Sequence, residues 1–208
     1  MPAPPDAARE AGKIPCLAGR LRELQACAAA VRNQIAADPE IAWFLEPDCE
    51  SEVTLIWKIG PVWCRALADK INRRLRRIAD LKTTMMSAEP VEIGMKLARE
   101  YATQDTWYLT GAETLMPTPE GAEPWTFTFI AAERDAPFCI SAHQIPREIR
   151  EVAMTQMKQA TMTFARCLIT GDWPGYAKGL HTPQITDRAM GRAADSLLQW
   201  SDGSRMAA

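Results

Sequence analysis

Two aspartates and a lysine have the types and spacing to do chemistry: Asp69, Asp80 and Lys82, within "CRALADKINRRLRRIADLKTT" from Cys64 to Thr84. The end of that run, "IADLKTT", reads as a strand. Side chains on a strand alternate faces, so Asp80 and Lys82 share one face while Ala79 and Leu81 take the other. An acid and an ammonium so placed make either a surface ion pair of nearly neutral energy or part of a metal-dependent site. If "NRRLRR" is a hairpin tip, Asp69 and Asp80 stand across from each other on neighbouring strands, within about 5 Å. Carboxylates that close repel and raise a pKa. A hard divalent cation such as Mg2+ removes the conflict, because it favours a few carboxylates plus waters and phosphate oxygens. Lys82 could then orient or help deprotonate an attacking water, or stabilise charge as a phosphodiester breaks.

Such a site needs a sheet to hold it. "LAGRLRELQACAAAVRNQIAAD" (17–38) places apolar residues at helical spacing and is closed by Asp38-Pro39. The period then changes. "SEVTLIWK" (51–58), "VWCRALADKI" (62–71) and "IADLKTT" (78–84) read as three strands with short connections, an antiparallel meander. A helix is predicted over 89–110, with Pro90 in its first turn and Gly111 at its stop. "WTFTFIAAE" (125–133) and "FCISAHQI" (138–145) make a second hairpin, and a long helix from Pro146 to Thr170 stops at Gly171. The order α-β-β-β-α-β-β-α implies an α/β fold: a central mixed sheet, begun as a meander and extended by a helical crossover, with helices on its faces.

Composition narrows the classes. The chain has 208 residues, 47% apolar and 24% charged, with a net charge of −2, which suits a globular domain and argues against coating nucleic acid by bulk charge. No apolar run approaches the ~20 residues of a membrane span. The start "MPAPPDAARE" lacks the basic and apolar regions of a secretory signal. The six cysteines form no close-spaced metal motif and there are two histidines, so reduced thiols in a cytoplasmic protein are expected.

The motifs in order are "CRALAD" (64–69), "ADLKTT" (79–84), "QDTWY" (104–108) and "GDWPGY" (171–176). D-(x10)-D-x-K on hairpinned strands, followed by a helix with Q-x3-Y, resembles the PD-(D/E)xK nuclease superfamily. Within it the chain is similar to RecE/RecB-type exonucleases, specifically phage and prophage exodeoxyribonuclease VIII-like proteins. The resemblance covers roughly Gly12 to Tyr176. It implies a restriction-endonuclease-like core and a Mg2+-dependent exonuclease, Mn2+ being a substitute, that resects linear duplex DNA. It further implies a single-strand annealing partner of RecT type and a homo-oligomer. By the same resemblance Asp69 and Asp80 are metal ligands, with the Leu81 main-chain carbonyl a third and Glu52 a second-metal or supporting acid. Lys82 is the catalytic lysine, and Gln104 and Tyr108 hold substrate near the metal. The implied organisation is a disordered tail over 1–15, a nuclease domain over 16–176 and a C-terminal tail over 177–208. The family's upstream helix, with a histidine in a G-x-A-x-H setting, has no counterpart here, and the sequence enters the pattern at Gly12 to Pro15. Ala68 replaces the usual proline before the first aspartate.

Alternatives come from the same features. The missing histidine motivates a truncated, inactive remnant. A non-catalytic DNA-binding or assembly subunit is the other reading. Arg73, Arg74, Arg76 and Arg77 are the densest basic cluster, either a solvated hairpin tip or a contact to the DNA backbone. Met85, Met86, Met154, Met157 and Met162 are expected to fill the core, with Trp107 and Trp173 as packing anchors.

Overall fold

The computed structural model describes residues 14–180 together with residues 9, 10, 12 and 182. Most of the tails expected over 1–15 and 177–208, and His181 with them, lie outside the described residues. Along the chain run α1 (Ala18–Ala37), a short 3-10 helix (Ala42–Leu45), β1 (Glu50–Ile59), β2 (Val62–Asn72), β3 (Arg77–Thr84) and α2 (Pro90–Leu115). β4 (Thr126–Glu133), β5 (Ile140–His143) and α3 (Arg147–Thr170) follow. All belong to the compact unit Met1–Gly171. The second unit, Asp172–Ala208, forms no helix or strand where it is described. No described helix is long and apolar enough to cross a membrane.

The five strands lie in chain order across one sheet. β1, β2 and β3 are antiparallel, β3 and β4 are parallel across the α2 crossover, and β5 returns antiparallel. This is the mixed sheet the sequence predicts. A parallel pair needs a long connection, and α2 supplies it. Its central strands, β3 and β4, are covered on both sides. Ile78, Phe127 and Phe129 pack with Ile93 and Leu97 of α2 and Ala153 of α3 on one face. On the other, Ala79, Ile130 and Ala132 meet Val31 and Ile35 of α1 with Trp43 and Phe44. Central strands buried on both faces read as near-continuous apolar runs, as "FTFIAA" does.

Several expectations are corrected. α2 does not stop at Gly111 but runs to Leu115, because Gly111 is a packing position. A Cβ there would stand 2.7 Å from Cζ3 of the Trp57 ring. The helix starts as expected: Pro90 opens it, and the Glu89 side chain accepts from the backbone N–H groups of Val91 and Glu92, both at 2.9 Å. Gly171 does end α3, at φ 72°. β5 is shorter than 138–145. Of the five methionines only Met157 is buried, while Met85, Met86 and Met162 are exposed.

Candidate active site

The sheet divides along β2. β1 and β2 pair from Ile59↔Val62 to Glu50↔Ile71, with one gap where Glu52 faces Asp69. β2 and β3 pair only at Lys70↔Ala79, Ile71↔Ile78 and Asn72↔Arg77. One step further in that register Asp69 meets Asp80, so β3 parts from β2 at the two carboxylates. The backbone N–H of Leu81, which has no β2 partner, donates to Asp69 Oδ2 at 2.9 Å. Asp69 therefore closes the fork with its side chain.

The backbone is kinked at the same place. Val62, Cys64, Ala66 and Ala68 alternate as the buried face of β2, but after half-buried Asp69 and Lys70 both Ile71 and Asn72 are buried. Opposite, Glu52 has φ 54°, a left-handed conformation that costs free energy for a residue with a Cβ. Beyond the fork β2 has an open edge, and α2 covers its carbonyls. Trp107 Nε1 donates to Arg65 O at 3.0 Å and the Tyr108 hydroxyl to Leu67 O at 2.9 Å.

Asp80 sits under α2 with its side chain 7% exposed. Gln104 Nε2 donates to its Oδ1 at 2.5 Å, and Lys82 Nζ is 2.7 Å from Oδ2. That second oxygen is buried and receives no hydrogen bond of sound geometry. The Lys82 ammonium also stands 4.6 Å from the Tyr101 ring centroid, where a cation is attracted to the ring face. Tyr101, Gln104 and Tyr108 form one i, i+3, i+7 stripe down α2. Q-x3-Y leaves out Tyr101, which lies three residues before Gln104 on the same helical face.

The electrostatics mark a site that carries excess negative charge. Burial pushes the Asp69 carboxyl above its usual range. The Leu81 N–H opposes that rise, the charges of Asp80 and Glu52 add to it, and Lys82 lowers it. Burial likewise raises the Tyr108 hydroxyl, the Leu67 bond opposing it and Asp80 adding to it. The structure thus brings Asp69, Asp80, Leu81, Lys82 and Gln104 together, with Glu52 exposed beside them and Tyr108 one helical turn along. No histidine joins them among the described residues. His143 lies on β5, hydrogen-bonded to Ser141 Oγ at 2.7 Å.

The basic hairpin tip is occupied by the protein's own groups. Arg73 pairs with Glu50 at 2.5 Å, and Arg74 with Asp48 at 2.9 Å and Glu46 at 3.2 Å. Arg76 donates to Glu123 O at 2.6 Å, and Arg77 lies 5.9 Å from the Trp43 ring centroid. Nothing in "NRRLRR" announces these acids, which come from the start of β1 and the segment before it.

Could the fork hold a metal? Two carboxylates, a main-chain carbonyl and an orphaned buried oxygen on Asp80 are hard donors suited to Mg2+ or Mn2+. Among the described residues no group of three or more His, Cys, Asp and Glu side chains is gathered for a metal, so waters or substrate oxygens must complete the coordination. The donor set fits a cation that keeps several waters.

The model of a family described as "PDDEXK-like domain of unknown function (DUF3799)" matches residues 15–182. No curated protein matches. Among solved structures, one described as a "Putative exonuclease" from Eubacterium rectale superposes at TM-score 0.54 and 14% identity. The match covers 76% of this chain and 62% of that one, so this chain spans less than two thirds of its length. At that identity the likeness shows the fold, a restriction-endonuclease-like α/β core. A second, SSO0001, gives TM-score 0.32 at 14% identity over 66% of this chain and 70% of that one, too little to argue from.

Proposed function

Because the chain belongs to the PDDEXK-like domain family, we propose that it is a divalent-metal-dependent nuclease. Its substrate is linear duplex DNA, and it works as an exonuclease of RecE type. In this reading it resects 5′ ends in phage-type recombination, uses Mg2+, acts as a homo-oligomer and hands its single strand to a RecT-type annealing protein. One observation carries the reading. Asp69 and Asp80 meet where β2 and β3 part, with Lys82 2.7 Å from Asp80.

Each residue has a derivable task. Asp69, Asp80 and the Leu81 carbonyl would hold the cation, with Glu52 as a further acid at the exposed rim. When bound, the metal supplies Lewis-acid stabilisation of phosphoryl charge and acidifies a coordinated water. The Leu81 N–H fixes Asp69, and Gln104 fixes Asp80, so neither carboxylate must reorganise during reaction. Lys82, stacked on Tyr101, presents its ammonium toward negative charge that develops as the 3′-oxygen leaves. Its half-sheltered position, 25% exposed, strengthens that interaction relative to bulk water.

The absence of a third clustered ligand among the described residues favours one rival, a DNA-binding subunit without catalysis. Digestion of end-labelled linear and circular duplex DNA in Mg2+, by the wild type and by Asp80→Ala, separates the two. Loss of linear substrate only with the wild type is expected. Equal digestion by both proteins, or none by either, removes the nuclease reading.

A further inference from the structure

Beyond the fork, β1 and β2 form an arm whose one face is buried and whose other face is open. Leu55, Trp57, Val62, Cys64 and Ala66 point to the core. Thr54, Ile56 and Lys58 on β1 and Trp63, Arg65 and Leu67 on β2 point the other way, all exposed. They stand in register as Thr54↔Leu67, Ile56↔Arg65 and Lys58↔Trp63. Trp63 is 70% exposed, Ile56 54% and Leu67 38%, an apolar strip on a strand pair that no described element covers.

The charges on the strip are all of one sign. Lys58 stands 4.9 Å from the Trp63 ring centroid. Neither Lys58 nor Arg65 makes an ion pair among the described residues, unlike Arg73 and Arg74 at the tip. Following the strip inward, the next positions in the same alternation are Glu52 and Asp69. From Trp63 to Asp69 is about 20 Å at ~3.4 Å per strand residue. The strip therefore runs from a cationic, aromatic outer end to the carboxylates of the fork.

The geometry points to a track on which an unpaired nucleic-acid strand lies along the β1–β2 arm, bases on Trp63, Ile56 and Leu67, phosphates on Lys58 and Arg65. This assignment rests on the nuclease reading and extends it, by naming the surface along which one strand, unpaired from the end of the duplex, reaches the fork. Phosphates alone would leave the apolar side chains without a partner. A duplex hides its base faces, whereas an unpaired strand offers them, and stacking on an aromatic side chain is tolerant of sequence. The charge complementarity is direct: cations where the strand enters, carboxylates to hold a cation where it is cut. A second copy of this chain fits less well. In parallel register it would set Lys58 and Arg65 against their own kind. Head to tail, it would put Lys58 on the fork and block it.

The test uses the full chain in EDTA and fluorescence anisotropy with a fluorescein-labelled single strand of twelve nucleotides. Trp63→Ala should weaken binding about 5- to 160-fold, the range for one lost base stack. Lys58→Gln with Arg65→Gln should lower the slope of log affinity against log salt by about 1.4, from two phosphate contacts on a single strand. Arg73→Gln with Arg74→Gln should change affinity less than twofold. Equal affinity of the wild type and both arm variants, or no binding by the wild type, overturns the track. So does a dimer in sedimentation velocity that Trp63→Ala abolishes while strand binding persists. Cleavage in Mg2+ is read on the same proteins. A wild type that binds the strand through the arm but never cuts refutes the nuclease reading, while cutting unaffected by the arm variants refutes the track alone.

Discussion

Two buried acids, one on α2 and one on β3 reached by the α2 residue beside it, are built differently. Asp105 is fully buried and receives a guanidinium on both oxygens, Arg150 Nε to Oδ1 at 2.6 Å and Nη2 to Oδ2 at 3.2 Å. It ties α2 to α3. Asp80, reached by the adjacent Gln104, has one oxygen satisfied by the amide and the other beside an ammonium without a hydrogen bond. Asp69 completes its side of the fork with a single backbone N–H. A carboxylate with both oxygens matched is a strut, since the fold has already met its demand for donors. A pair of carboxylates with spare lone pairs and mutual repulsion is a socket, because a further cation relieves it.

The largest effect that would break this contrast is on stability. Asp105→Ala strands a half-sheltered guanidinium between α2 and α3, and breaking such a buried pair costs about 3–5 kcal/mol. Urea unfolding measures it, and a loss below ~1 kcal/mol would mean Asp105 is not the strut described. Next comes Gln104→Leu. It leaves the fold intact but frees Asp80 to rotate, and loss of such a supporting contact lowers metal affinity or activity about 10- to 100-fold. Rates of duplex cleavage against Mg2+ concentration report it. Unchanged kinetics would place Gln104 outside the site.

The smallest effect has the opposite sign. Burial, then the neighbouring acids, raise the Asp69 pKa, so the folded protein takes up a proton more readily than the unfolded chain. Ionised Asp69 thus opposes folding at neutral pH, and the penalty fades as pH falls through the raised pKa. Asp69→Asn keeps an acceptor for the Leu81 N–H. Its melting temperature in EDTA should exceed that of the wild type at pH 7 to 8 and converge on it in the acid range where the wild-type group is protonated. A variant less stable at pH 7 contradicts the socket.

How much of this could be read in advance follows from the range of each interaction. The alternation of "IADLKTT" and the length of "NRRLRR" were enough to place Asp69 opposite Asp80, because strand period and hairpin register are local. The crossover to β4 followed from the helix between two strand patterns. What stayed hidden depends on contacts distant in sequence. The fork after Lys70↔Ala79 and the left-handed Glu52 leave no compositional trace. Gly111 reads as a helix stop, and the Trp57 ring, brought from β1, shows why it is glycine. "QDTWY" marks Gln104 and Tyr108, yet nothing local marks Asp105 between them, since its partner Arg150 lies 45 residues on. The arginine cluster shows the same limit of range. Charge density along the chain counted four cations, while Glu46, Asp48 and Glu50 engage two of them in space.

Calorimetric titration of Mg2+ into the wild type, Asp69→Asn and Asp105→Asn tests the fork most directly. Saturable binding by the wild type and by Asp105→Asn, absent in Asp69→Asn, is the expected result. Heats that are the same for the wild type and Asp69→Asn would contradict it, for the cation would then have no use for the carboxylate where the strands part.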